Sequence, residues 1–208
     1  MTVPTDSPTP GDLILATRTA DIVDVPARVF ITSSGAGAPD SPAFAQSIAA
    51  LYGIAYGIKF GRKKVGGSDF KVGALVGTWR IEGPLHTADE APARSSWRWT
   101  LQLDMPPDVT QEDVRNTAAA AAAKKGGKLQ GSPYAAQVTL ARETARRYGR
   151  ILHLGAYSEE PESFRAIEAL LGAKNLHREP WHVEVYLSDP GRTAQDKLRT
   201  VLLVPVTQ

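Results

Sequence analysis

An order of elements recurs in this chain and restricts its fold more than any single motif. A strand, a helix opened by a proline and two further strands read over 27–103. The same order returns over 150–206. The two helix-opening prolines, Pro42 and Pro161, stand 119 positions apart. Identity between the two stretches is negligible, so the repeat is one of pattern only. A strand-helix-strand-strand unit is too small to bury both its faces. Two such units pairing their sheets would make one larger antiparallel sheet with helices on one side. The opposite, concave face would then be a natural place for a ligand. The pattern predicts an α+β fold: a flexible leader over 1–12, then one domain of two modules, about 13–108 and 109–208.

Local signals set the elements. Residues 13–24 read as a lead-in with a short strand, and Ala27–Thr32 as a better one, broken by Gly35–Asp40. Ser41 is an N-cap residue and Pro42 suits the first helical position. Phe44, Ile48, Leu51, Tyr52, Ala55 and Ile58 fall at helical spacing, with Tyr56 beside that face and a basic end near Lys59–Lys64. Phe70–Ile81 reads as a strand holding Gly73 and Gly77, and Glu82–Arg94 as a loop. Trp97–Leu103 alternates strongly, with Trp97, Trp99, Leu101 and Leu103 on one face. Thr110 and Asp113 form a capping box, with Asp in place of Glu or Gln. Its helix runs through Ala118–Ala123, whose small side chains would let it lie close to a sheet. Ala135–Arg142 and Gly149–Gly155 read as strands. Phe164, Ile167, Leu170 and Leu171 make the second helix, which ends near Gly172. Gly191–Asp196 is a turn and Leu198–Val206 the last strand.

Composition excludes several functions. The chain has 208 residues and a net charge of +2, too small to argue for nucleic acid. It has no cysteine, which removes disulfides, zinc-thiolate sites and cysteine nucleophiles. The Thr/Ser/Pro-rich start has no apolar core of a signal peptide. No stretch approaches the ~18 apolar residues of a membrane span. A cytoplasmic location is the expectation.

The richest stretch is Glu179–Pro190. Trp181–Leu187 is β-branched and aromatic, and prolines bound it. Alternation puts Val183, Val185 and Leu187 on one face, and His182, Glu184 and Tyr186 on the other. The first set is an ordinary core face. The second places a carboxylate beside a phenol in mid-strand, either on a solvated face or looking into a cavity. Charged residues are rarely buried without a partner, so an inward Glu184 would need a reason, and a ligand is one.

Five stretches carry a resemblance. They are Ala16–Arg28, Ser41–Gly53, Ser96–Leu101, His153–Pro161 and His182–Pro190. Together they resemble the GyrI-like small-molecule-binding domains in their stand-alone form, over nearly the whole chain after the leader. Ala156 departs from the proline expected there, and Val183-Glu-Val185 from a more usual His-Glu-Ile. The resemblance implies tandem modules with a ligand cleft between them. It places a glutamate, here Glu184, at the cleft floor among aromatics, facing flat cationic ligands in regulator relatives. Some similar stand-alone members are hydrolases that open the cyclopropane ring of CC-1065 and yatakemycin-type genotoxins.

The expected catalytic residues are therefore Glu184 as general base, with Tyr157 and Tyr186 holding water or carboxylate. Trp97, Trp99, Tyr52, Tyr56 and His182 are the expected substrate contacts. A core role stands beside this one for Trp97, Trp99 and Tyr52. His153 and His182 lack a third ligand at useful spacing, so no metal or cofactor is expected. Glu159 and Glu160 read as charges favouring a helix N-terminus. Arg62–Lys64 with Lys124–Lys125 read as a solvated helix end. The partner expected is a flat aromatic small molecule, with no direct nucleic-acid or membrane binding. A non-catalytic drug-binding protein is the competing expectation, and a gyrase-modulating interaction a third.

Overall fold

The computed structural model describes residues 9–67, 69–80 and 96–207. The predicted loop Glu82–Arg94, Ile81 and most of the leader lie outside the described residues. The helices are α1 (Gly11–Ile14), α2 (Pro42–Lys64), α3 (Gln111–Ala123), α4 (Pro133–Gln137) and α5 (Glu160–Ala173). The strands are β1 (Asp21–Val25), β2 (Arg28–Ala36), β3 (Leu75–Arg80), β4 (Arg98–Asp104) and β5 (Thr139–Glu143). They continue with β6 (Arg146–Leu154), β7 (His177–Arg178), β8 (Trp181–Tyr186) and β9 (Arg199–Thr207).

All strand pairs are antiparallel, in the order β1-β6-β9-β8-β3-β4-β2-β5, with β7 added to the end of β9. The predicted repeat is visible in that order. One unit contributes β2-β4-β3 with α2, the other β6-β9-β8 with α5, and they meet at the β3–β8 pair. The leading strands cross over: β1 pairs β6, and β5 pairs β2.

The helix signals act as read, with two differences. The Ser41 hydroxyl accepts from the Phe44 N–H at 3.3 Å, and α2 continues past Lys59 to Lys64, so that Arg62, Lys63 and Lys64 form its last turn. Thr110 and Asp113 close a reciprocal capping box. Helix α3, however, lies against α2, α4 and the edge strand β5 rather than under the main sheet. The basic residues grouped from sequence are also apart. Arg62 pairs with Asp108 just ahead of α3, and Lys124 and Lys125 follow its far end.

The strand expected over 135–142 is a correction. Its first half is the short helix α4, and β5 begins only at Thr139. Ser132-Pro133 is the same start signal as Ser41-Pro42, and Ala135 is buried in the core beneath it. The strand expected over 70–81 is shorter at its front, starting at Leu75.

The concave face is a second correction. Val76, Val183, Val185, Val201, Leu203, Trp181 and Tyr148 cover that side of the sheet, and Leu13 packs among them with Ile14 and Ala16. Arg150 donates to the Asp12 carbonyl at 2.6 Å and fixes this cap. Beside it Arg28 and Asp104 form a buried pair at 3.1 Å, joined by Gln102 and Glu143. The face opposite the helices is therefore filled. The other face carries the larger core under α2, built on Ile31, Leu51, Ile54, Trp99, Leu101 and Leu103, and a smaller one of Ile151, Ile167, Leu171, Leu202 and Val204 under α5.

Candidate functional site

The β3–β8 seam is where the two helix-covered cores stop. Across it Leu75 faces Tyr186, Gly77 faces Glu184 and Trp79 faces His182. Val183 and Val185 point to the filled face. His182, Glu184 and Tyr186 therefore rise on the helix side, in the gap between α2 and α5.

Glu184 is 8% exposed, yet both its oxygens are held. His182 Nε2 lies 2.9 Å from Oε1, and the Tyr186 hydroxyl donates to Oε2 at 2.7 Å. A carboxylate accepts only, so the His182 nitrogen facing it bears the proton. Trp79 Nε1 donates in turn to the Tyr186 oxygen at 3.0 Å. The donors Trp79 and Tyr186, in series, orient the carboxylate from one side, and His182 from the other. Phe164 of α5 packs edge-on against His182 at 4.8 Å, which fixes that ring. Burial and the neighbouring Glu184 charge push the Tyr186 phenol well above its ordinary range, so it stays a donor.

The second wall comes from the turn before α5. Gly155 has φ +129, and a Cβ there would collide with Glu159 Oε2. That same oxygen accepts from the Ala156 N–H at 3.2 Å. His153 Nε2 donates to the Ala156 carbonyl at 3.0 Å, while Nδ1 meets the Ser163 hydroxyl at 2.9 Å. This bracing presents Tyr157, which stays 39% exposed and meets Tyr186 edge-on at 6.2 Å. Burial, then Glu184, Glu160 and Asp189, push its phenol up to about 12. A shallow depression beside it is lined by Ala156, Tyr157, Ser158, Pro190, Gln195 and Leu198.

The predicted residues do not all converge. Glu184, Tyr186, His182 and Tyr157 are brought together. Tyr52 and Tyr56 stack along α2 at 6.4 Å. Burial, then Tyr56 and Asp189, raise the Tyr52 phenol, so Asp189 stands within electrostatic reach of both Tyr52 and Tyr157. Trp97 meets Trp79 edge-on at 5.8 Å and is half-buried. Trp99 is 2% exposed, packed edge-on to Phe44 over Gly35, where even a Cβ would strike its ring. It belongs to the core under α2.

Three residues escaped sequence reading. Trp79 and Gly77 enter through the register of β3 against β8, a long-range pairing with no local signal. From sequence Glu160 is only a charge favouring a helix N-terminus; in the fold it is also 7% exposed, and burial followed by the Glu184 charge raises its carboxyl well above the usual range. Its position one residue before Pro161, at the first turn of a helix crossing the sheet, was the available clue.

Among the described residues no cluster of three or more His, Cys, Asp or Glu could hold a metal, and no helix is long and apolar enough to cross a membrane. No family model and no curated protein matches the chain. Solved structures do. An uncharacterized conserved protein from Listeria innocua is 29% identical, covering 92% of this chain and 94% of its own, with a TM-score of 0.81. A hydrolase from Listeria innocua is 28% identical over 93% and 94%, also at 0.81. The C-terminal domain of EcmrR, at 9% identity and 0.54, shares the fold alone.

Proposed function

We propose that this protein is a hydrolase that adds water to the cyclopropane ring of cyclopropanoid DNA-alkylating compounds of the CC-1065 and yatakemycin type, in the cytoplasm, and so gives resistance to them. One observation carries the reading: an enclosed carboxylate, Glu184, held through both oxygens by His182 and by Tyr186, which itself meets Tyr157 and Trp79. The likeness to the Listeria hydrolase supports hydrolysis as the reaction class.

Such substrates carry a strained ring conjugated to a dienone, so opening restores an aromatic ring. Glu184 accepts a proton from water as that water attacks the ring carbon. Tyr186 and His182 keep the carboxylate from rotating away, and positioning of this kind supplies much of the acceleration. Tyr157, Tyr56 and Trp97 offer π-faces to a flat ligand and stabilise positive character at the reacting carbon. No metal or cofactor takes part in this scheme.

The same carboxylate-under-aromatics geometry also suits capture of a flat cation without chemistry. Incubation with a CC-1065-type compound followed by mass spectrometry separates the two. A product heavier by one water, formed over many turnovers, supports hydrolysis; tight binding with unchanged mass supports capture.

A further inference from the structure

Glu160 is a buried acid that the scheme above leaves idle. It opens α5, and its Oε1 is fully enclosed without a hydrogen-bond partner among the described residues. The groups that face it are acidic or phenolic. Glu184 on β8 acts on it, and its own charge is felt by Tyr186 on β8 and by Tyr157 in the turn. An enclosed carboxylate with no counter-charge is costly, and a neighbouring carboxylate makes it costlier. The neutral acid removes both penalties and leaves an O–H without an acceptor beside Glu184. One carboxylate held by two donors and one acid held by none divide naturally into a base and an acid.

We propose that Glu160 is the neutral hydrogen-bond donor of the cleft, offering its carboxyl proton to a carbonyl oxygen of the flat aromatic ligand. Its catalytic use rests on the hydrolase reading. There the water oxygen bonds to the cyclopropane CH2 carbon while the ring C–C bond breaks. The released electron pair moves through the dienone to its oxygen, which takes the Glu160 proton and becomes a phenol. Glu184 takes the proton of the attacking water. Return of one proton from Glu184 to Glu160 restores the starting pair, so substrate and water are the only reactants consumed.

The test is a carbon-13 carboxyl NMR titration of glutamate-labelled protein, with Glu160→Gln to assign the signal and Glu184→Gln to remove the neighbouring charge. The Glu160 signal is expected to titrate above the ordinary glutamate range. Its acid dissociation constant should rise at least about tenfold in Glu184→Gln, a change of one pH unit at the midpoint. Titration at the ordinary glutamate value, or indifference to Glu184→Gln, overturns the proposal. Turnover then tests its use. Glutamine keeps a donor and loses the transferable proton, so Glu160→Gln should bind within about threefold of wild type and lose about 10²–10⁴ in turnover. Wild-type turnover by that variant overturns the acid role while the hydrolase reading stands. If wild type itself adds no water, the hydrolase reading falls, and the titration alone decides whether Glu160 is the donor.

Discussion

Gly77 and Glu184 are partners across the seam that joins the two halves of the sheet. The missing side chain of one makes room for the setting of the other. A Cβ on Gly77 would lie 3.1 Å from the Tyr186 oxygen and 3.2 Å from Trp79 Nε1, the two atoms whose hydrogen bond steadies the Glu184 carboxylate. Gly77→Ala should therefore part Trp79 from Tyr186. The expected results are a stability loss of about 1–2 kcal/mol from overpacking and a fall in turnover or ligand affinity beyond that loss. Thermal unfolding beside a binding titration checks this; unchanged affinity would mean that the donor chain is not needed.

Tyr186→Phe removes the donor to Glu184 Oε2 and the acceptor of the Trp79 N–H in one step. An enclosed indole N–H left without a partner costs about 1–3 kcal/mol. The variant should unfold at lower denaturant concentration, with the slope unchanged.

Trp99 and Tyr157 should behave as opposites. Trp99→Ala empties a fully packed site, and losses of about 3–5 kcal/mol are usual for such truncation. Tyr157→Leu alters a half-open wall and should leave stability within about 0.5 kcal/mol while weakening the binding of a flat aromatic ligand. Chemical denaturation and a fluorescence titration on both variants make the comparison. A stable Trp99→Ala with lost binding would move Trp99 into the cleft.

The filled face carries its own pH dependence. Burial raises the Asp104 carboxyl to about 6 against 3.8 in a free chain, with Arg28 opposing the rise. A group whose folded value is raised binds more protons folded than unfolded, so its contribution to stability declines as pH rises between those two values and is constant above both. Relative to Asp104→Asn, wild type should lose up to about 3 kcal/mol between pH 4 and pH 7. Denaturation curves at several pH values read the difference directly, and parallel pH profiles would contradict it.

The sequence disclosed those parts of the site that depend on short-range rules. The period-2 alternation of Trp181–Leu187 separated Val183 and Val185 from His182, Glu184 and Tyr186, and the structure keeps that separation. Ser41-Pro42 and the Thr110–Asp113 box started helices where they occur. What escaped is set by distant pairing. Trp79 and Gly77 matter only because β3 meets β8 in one register, and nothing within either strand specifies it. The filling of the face opposite the helices is likewise a long-range matter, since Leu13, Ile14 and Ala16 pack against distant strands. Glu160 is acidic at a helix start, as hundreds of solvated residues are; only the docking of α5 beside β8 encloses it.

The role of Glu184 as the base that activates water is tested most directly by one comparison. Pure wild-type protein and Glu184→Gln are each incubated with a CC-1065-type cyclopropanoid, and the products are weighed by mass spectrometry. The account predicts catalytic gain of one water with wild type, and loss of that activity with retained folding in Glu184→Gln. Equal water addition by both proteins would contradict it.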